Sequence, residues 1–313
     1  MLHITECQVR DLLPMGKAIE LVESGFLHLA SGRARNHPRR RLQLDSSATL
    51  HYMPAVDLAS GYLGIKVYST HPQTGAHFVV LLYASDGRPL ASIEANALGQ
   101  IRTGAASGVA TARLARSDAR VVGLIGSGFQ ARTQLEAVAS VRQLGEVRVF
   151  SRSEENRRGF AAGMARSLDL PVVPVETAEQ AIRGCDIAIT TTPAREPVLF
   201  GDWLQPGSHI NAAGSNHARR RELDRTAVAR ASLIVADSVE QARMESGDLI
   251  AAFEEGAGSW DQVADLADLF SKYPPGRRSD ADITLFKSNG LALEDVAVAG
   301  YVYEQAVARE TGW

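Results

Sequence analysis

Three short stretches of this chain place reactive residue types at spacings that support chemistry. Gly126-Ser127-Gly128-Phe129-Gln130-Ala131 lies where an apolar run, Val121 to Ile125, gives way to a segment of helical pattern. In that context the first glycine permits a tight turn and Gly128 lets backbone approach a pyrophosphate. Ala131 lets helix and strand pack closely. The free N–H groups and positive dipole end of the following helix then suit phosphate oxygens. Lys66 sits inside Leu63-Gly64-Ile65-Lys66-Val67, an apolar run where an unpaired ammonium would be costly, so a functional role is expected of it. Arg102 and Thr103 stand at the beginning of a stretch rich in Gly, Ala and Ser. Most of its small residues read as helix packed on sheet, and these two polar residues stand apart from them.

The strand after the glycine turn ends Phe150-Ser151-Arg152-Ser153. A site selective for NAD(H) places a carboxylate there to hold the ribose hydroxyls. Here a guanidinium and two hydroxyls stand in its place and suit a 2′-phosphate, with Arg157 as a possible second cation. NADP(H) is therefore favoured, with NAD(H) as the alternative.

These residues need a scaffold, and the pattern supplies one in two parts. Ile19, Val22, Phe26 and Leu29 recur at helical spacing and stop at Gly32. Strands are predicted over Thr49 to Pro54, Gly61 to Thr70, His77 to Ala84 and Pro89 to Glu94, with Asp86-Gly87 as a hairpin turn. Ala97 to Ala115 reads as helix. From Val121 onward strands alternate with helices at Phe129 to Leu144 and Glu154 to Leu168. Further apolar runs follow at Val172 to Val175, Ile187 to Thr191, His209 to Ala212 and Leu233 to Ala236. That alternation predicts a parallel sheet covered on both faces. A helix is expected around Trp260 to Phe270, and a last one from about Leu291 to Ala308 packs back on the first part. The fold class is thus α/β: a Rossmann-type NAD(P)-binding domain at 118–289, plus an α+β domain at 1–117 and 290–313.

The composition of the 313 residues, 45% hydrophobic and 22% charged with net charge −3, is ordinary for a soluble globular protein and leaves room for two cores. It carries no electrostatic footprint for nucleic acid. No apolar run spans about 18 residues, so no membrane crossing is expected. Cys7 and Cys185 are far apart and no secretory segment is visible, which points to a reduced, cytoplasmic protein. His71, His209 and His217 show no metal-ligand spacing, so no metal is expected. A serine-hydrolase elbow is also absent.

Several stretches occur together and in order. They are Tyr52-Met53-Pro54-Ala55, Gly64-Ile65-Lys66-Val67, Ile101-Arg102-Thr103-Gly104-Ala105, the Gly126 turn, Ile210-Asn211-Ala212-Ala213-Gly214-Ser215 and Phe286-Lys287-Ser288-Asn289-Gly290. On them the chain resembles the ornithine cyclodeaminase/mu-crystallin family along nearly its whole length. The resemblance implies a homodimer in which the α+β part, 1–117 with 290–313, is the substrate and dimerisation domain, and a small α-amino or α-imino acid substrate, with hydride moving at the α-carbon.

By the same resemblance Arg102 and the arginine before the first long strand hold the substrate carboxylate, and Lys66 lies beside the reacting carbon. Arg41 is chosen for the second arginine, with Arg40 as the alternative. Guanidinium suits the role because it meets carboxylate in bidentate geometry. The cofactor set implied is Thr103, Gly126, Ser127, Gly128, Phe129, Gln130, Ser151, Arg152, Ser153, Thr191, Ala213, Gly214, Ser215 and Ser288. Two positions depart from the cyclodeaminase pattern. Asn216 replaces an acidic residue that assists ammonia release, and an amide cannot accept a proton as a carboxylate does. His51 replaces a glutamate near Met53-Pro54. With Lys66 and Asn216 as the catalytic pair, the expected activity is NAD(P)H-dependent reduction of a small cyclic α-imino acid of the pyrroline-2-carboxylate type. The alternatives are an ornithine cyclodeaminase, a linear amino-acid dehydrogenase of the alanine type, or a small-ligand binding protein without turnover.

Overall fold

The computed structural model describes residues 1–44 and 47–311. The chain forms two compact units, Met1–Ala105 with Gly290–Trp313, and Ala106–Asn289. The first division falls inside helix α3 (Asn96–Leu114), earlier in the chain than the sequence pattern places it.

In the first unit seven strands form one sheet: β1 (Leu2–Ile4), β2 (Ala34–Asn36), β3 (Arg40–Leu44), β4 (Ala48–Asp57), β5 (Tyr62–His71), β6 (Gly75–Ala84) and β7 (Pro89–Glu94). Strands β4 to β7 run as an antiparallel meander, while β1 joins β7 in parallel. The Asp86-Gly87 turn closes the last hairpin, with Gly87 at φ 86. Alternation along each strand selects a buried face: His51, Met53, Ala55 and Asp57 on β4, and Gly64, Lys66 and Tyr68 on β5. Lys66 is thus placed on the covered face by its parity in the strand, and it pairs in register with Met53 and Val80, both fully buried. Helix α1 (Glu6–Leu12) packs against β7. Helix α2 (Met15–Ala30) and the C-terminal helix Ala292–Thr311 pack on each other, and the latter covers β4 and β5. Gly64 permits that close approach, because a side chain there would sit 2.7 Å from a Val296 methyl.

The second unit holds eight strands: β8 (Val121–Ile125), β9 (Glu146–Phe150), β10 (Val172–Pro174), β11 (Ile187–Thr190), β12 (His209–Ala212), β13 (Leu233–Ala236), β14 (Val263–Asp265) and β15 (Thr284–Lys287). All pair in parallel, in the order β10-β9-β8-β11-β12-β15-β13-β14. Successive residues feed two separate cores, Val122, Leu124, Ile187 and Ile189 to one face and Ile125, Ala188 and Ile210 to the other. Apolar strands buried on both faces are what the uninterrupted hydrophobic runs predict. Helices α4 (Phe129–Val141) and α5 (Glu154–Leu168) follow β8 and β9. The strand order reverses between β8 and β11, the place where open parallel sheets bind ligands beyond their carboxyl ends.

The region expected to be one helix near Trp260 forms two short turns, Trp260–Gln262 and Leu266–Phe270, on either side of β14. Asp265 and Asp268 cap each other's backbone and start a fresh turn there, which interrupts helical continuity. Among the described residues no helix is long and apolar enough to cross a membrane.

Candidate functional site

In the first unit a cluster of buried charges gathers around Lys66. Its Nζ donates to Asp295 Oδ1 at 2.8 Å, and Arg102 Nε donates to the same oxygen at 3.1 Å. Arg102 Nη1 donates to Glu294 Oε2 at 2.6 Å. Arg39 Nη2 donates to the Gly290 carbonyl at 3.3 Å. Helix α3 supplies Arg102, β5 supplies Lys66, and the first turn of the C-terminal helix supplies both carboxylates. None of these five side chains belongs to a residue more than 6% exposed.

Space for the cations comes from two glycines. A Cβ at Gly99 would stand 2.8 Å from Lys66 Nζ, and one at Gly290 would stand 2.6 Å from Arg102 Nη1. Gly290 also has φ 82, a conformation that glycine adopts without steric cost.

Burial pushes the Lys66 pKa down to about 8, with Asp295 opposing the shift and Arg102 and Arg39 adding to it. A desolvated ammonium among guanidinium groups therefore gives up its proton close to physiological pH. His51 accompanies the cluster on the same buried face of the sheet. Its ring stacks on Tyr68 at 4.2 Å and meets Thr70 Oγ1 at 3.0 Å. Burial, together with the charges of Arg41 and Arg39, lowers its pKa to about 4, so it is neutral at physiological pH.

The residues singled out from sequence are distributed unevenly over this cluster. Lys66 and Arg102 meet at one carboxylate. Arg41 lies on β3, whose five residues are all exposed, while Arg39, which precedes the strand, is buried beside Gly290. Thr103 is buried, and its hydroxyl donates to the Gly99 carbonyl at 2.7 Å. Sequence reasoning missed Arg39, Glu294 and Asp295. The acidic pair Glu294-Asp295, immediately before the largely apolar stretch Val296 to Tyr303, was the available signal.

In the second unit the glycine turn opens a cavity of about 740 Å³, lined by Gly126, Ser127, Gly128, Ser151, Arg152, Ser153, Thr191 and neighbours. Gly126 has φ 114, and a side chain there would strike Thr191. Gly128 begins α4 with no side-chain cap, and a Cβ at that position would meet nothing within 4 Å. Uncapped N–H groups beside open space fit the pyrophosphate of a dinucleotide. Ser127 Oγ donates to Ser151 Oγ at 2.8 Å, joining the turn to the end of β9. Ser153 caps α5 by accepting from the Asn156 N–H. Arg152 is exposed at the cavity wall. Arg157 is committed elsewhere, with Nη2 on Glu176 at 2.6 Å.

Phe129 and Gln130 lie in the first turn of α4 and outside the cavity lining. Ala213, Gly214 and Ser215 follow β12. There the Ser215 hydroxyl is buried with no hydrogen-bond partner among the described residues. Ser288 is buried beside Asp237, and Asn216 is exposed. Glu222, which the sequence did not mark, ties these strand ends together. Its carboxylate accepts from Thr192 N–H at 2.6 Å, Gly214 N–H at 2.8 Å and Thr190 Oγ1 at 3.0 Å. Asp248 lies beside it and pairs with fully buried Lys287 at 2.8 Å. Burial and the charge of Asp248 push Glu222 up to about 7. No group of three or more metal-ligating side chains occurs among the described residues.

Residues 2–310 match the model of the ornithine cyclodeaminase/mu-crystallin family. The chain belongs to that family. A Δ1-pyrroline-2-carboxylate reductase of Bacillus cereus is 37% identical to it, over 100% of this chain and 98% of the relative. The structure of the Thermococcus litoralis Δ1-pyrroline-2-carboxylate reductase in complex with NADH and L-proline superposes with a TM-score of 0.95 at 38% identity. That likeness covers 99% of this chain and 98% of the other. An archaeal alanine dehydrogenase dimer with bound NAD superposes with a TM-score of 0.92 at 34% identity, covering 99% and 97% of the two chains.

Proposed function

We propose that this protein is an NAD(P)H-dependent reductase of a small cyclic α-imino acid of the pyrroline-2-carboxylate type. The reaction is oxidoreductase chemistry at a CH–NH or C=N bond with a nicotinamide cofactor, and the substrate is a small ring. The observation that carries it is that Lys66 and Arg102, both buried, donate to the same oxygen of Asp295, so that a proton-donating ammonium stands beside a guanidinium of the kind that pairs a carboxylate.

The nicotinamide cofactor, when bound, supplies the hydride for the α-carbon. The chain supplies the rest. Arg102, with Arg39 or Arg41, pairs the carboxylate and orients the C=N bond. Lys66 donates its proton to the imine nitrogen, so that the carbon becomes electrophilic, and then recovers a proton from solvent. A lysine with a pKa near 8 is protonated at neutral pH yet gives up its proton readily. The Gly126 turn and the start of α4 would hold the pyrophosphate, with Ser151, Arg152 and Ser153 at the adenosine ribose. Arg152 favours NADP(H) there.

The likeness to alanine dehydrogenase supports a second reading, oxidation of a linear amino acid through the same groups in reverse. Ornithine cyclisation is disfavoured. His51 is uncharged at neutral pH and lies among arginines, so it cannot pair a distal ammonium, and Asn216 offers no base. A homodimer is part of the proposal. Leu42 and Leu50 pair in register and, with Leu44, leave an apolar patch exposed on β3 and β4.

The test is direct: purified protein is given pyrroline-2-carboxylate, piperideine-2-carboxylate, pyruvate with ammonia, or ornithine. Nicotinamide absorbance and ammonia are followed. Cofactor oxidation with a cyclic imine and no ammonia from ornithine is expected. Ammonia and proline from ornithine would overturn the reading.

A further inference from the structure

Asp295 spans two functional groups with one atom. Its Oδ1 accepts from both Lys66 Nζ and Arg102 Nε, while Oδ2 is buried with no hydrogen-bond partner among the described residues. Both contacts therefore run through a single oxygen, on a residue that is 0% exposed. We propose that Asp295 is the positioning residue of this site. It fixes the proton-donating ammonium relative to the carboxylate-binding guanidinium and supplies the negative charge that lets a buried ammonium persist. The proposal rests on the imino-acid reading above and adds to it the residue that sets its geometry and working pH range.

The charged and titratable groups around Lys66 come from every element packed against it. Asp295 and Glu294 come from the C-terminal helix, Arg102 from α3, Arg39 from the segment before β3, and His51 from β4. His51 is uncharged at neutral pH, and Glu294 is engaged by Arg102. Asp295 is thus the carboxylate in direct contact with the ammonium, at 2.8 Å. Burial of Lys66 and the charges of Arg102 and Arg39 all act to strip its proton, and Asp295 opposes them. Loss of that one charge should leave Lys66 largely neutral at pH 7 and unable to protonate an imine.

Composition makes the experiment tractable. Of 33 basic residues only Lys17, Lys66, Lys272 and Lys287 are lysines. Selective 13C labelling of lysine in the full chain therefore gives few resonances, and Lys66→Arg identifies that of Lys66. Its titration is followed by NMR without any assay of turnover. In parallel, the pH profile of kcat/KM is measured with pyrroline-2-carboxylate and NADPH or NADH.

In the unaltered protein the Lys66 resonance should titrate near 8. In Asp295→Asn the midpoint should fall by about two pH units, the alkaline limb of kcat/KM should follow it, and kcat at pH 7 should drop roughly tenfold. Asp295→Glu keeps the charge and moves the oxygen. Its alkaline limb should stay within about half a pH unit of the original while kcat falls. A Lys66 midpoint unchanged in Asp295→Asn overturns the proposal, as does unchanged kcat in Asp295→Glu should the first variant not fold. If no imine is turned over but the midpoint still falls, the imino-acid reading fails and the role of Asp295 stands.

Discussion

Lys66 Nζ and Asp295 Oδ1 meet at 2.8 Å across 229 residues of sequence, and both side chains are withdrawn from solvent. A single buried ammonium costs several kcal/mol unless it is paired, and removing one partner of such a pair leaves the other uncompensated. Because Asp295 also binds Arg102, the pair is one edge of a larger arrangement. The chemistry proposed for this protein depends on the titration of Lys66 within it.

The first prediction concerns that lysine directly. Lys66→Arg keeps the positive charge but cannot release a proton near neutral pH. It should lower kcat for the cyclic imine by about a hundredfold or more. Binding of the nicotinamide cofactor, measured by fluorescence titration, should change by less than about twofold, because the cofactor turn belongs to different elements. Full turnover in this variant would remove Lys66 from the reaction.

The proposed preference for NADP(H) rests on Arg152. It is the exposed cation at the end of β9, and Arg157, the other candidate, is tied to Glu176. Arg152→Ala should raise KM for NADPH roughly tenfold and leave KM for NADH nearly unchanged, since only the former carries the 2′-phosphate that a guanidinium would pair. Equal or better use of NADH by the unaltered protein would show that the hydroxyls of Ser151 and Ser153 serve a ribose diol instead.

Much of this arrangement was legible in the sequence because its signals are local. The Gly126 turn was readable from strand, glycine and helix in succession, and Lys66 from a charge inside an apolar run. The partnership of Asp295 and Glu294 with Lys66 and Arg102 was not, because a pairing across more than 190 residues leaves no periodic trace that joins the two partners. The arginine run shows a different difficulty. Arg39, Arg40 and Arg41 are chemically identical neighbours, and burial distinguishes them only once β3 is known to begin at Arg40. Glu222 was invisible for a third reason: a carboxylate among Arg219, Arg220 and Arg221 reads as a solvated turn, yet its side chain is 0% exposed and accepts backbone N–H groups from two strand ends.

Glu222 gives a pH dependence of stability. Its folded pKa is raised from 4.5 to about 7, by burial first and then by Asp248. A group raised in this way contributes stability that is full below pH 4.5 and is lost as pH rises through 7. The thermal midpoint, taken relative to that of Glu222→Gln, should therefore fall by a few degrees between pH 5 and pH 7.5, a loss of at most about 3 kcal/mol. In Asp248→Asn that relative slope should flatten, whatever the absolute stability of the variant. A difference between the two proteins that does not change over this range would show that Glu222 is ionised throughout.

Oligomeric state can be tested at the apolar edge of the first sheet. Leu42 and Leu44 lie on one face of β3 at 61% and 66% exposure, and Leu50 lies opposite Leu42 on β4. Exposed leucines grouped this closely favour association. Light scattering should give twice the 33.6 kDa chain mass for the unaltered protein. Leu42→Arg with Leu44→Arg should give a monomer that keeps its circular dichroism. A dimer surviving both changes would move the interface elsewhere.

The sharpest steric test is Gly99→Ala. Gly99 lies in α3, where alanine is the better helix former, so local propensity predicts a gain of about 1 kcal/mol. The added methyl would nevertheless stand 2.8 Å from Lys66 Nζ, which already donates to Asp295 at 2.8 Å. The amine must then move, and the backbone on either side of it is held by β4 and β6. Movement of a reacting group by about an ångström can cost a hundredfold in rate. The variant should therefore keep or raise its thermal midpoint while kcat/KM for the imine falls between about tenfold and a hundredfold. A rise in stability with unchanged turnover would mean that the position of the Lys66 ammonium does not govern the reaction. A matching loss of both would mean that the methyl disrupts the helix rather than the amine.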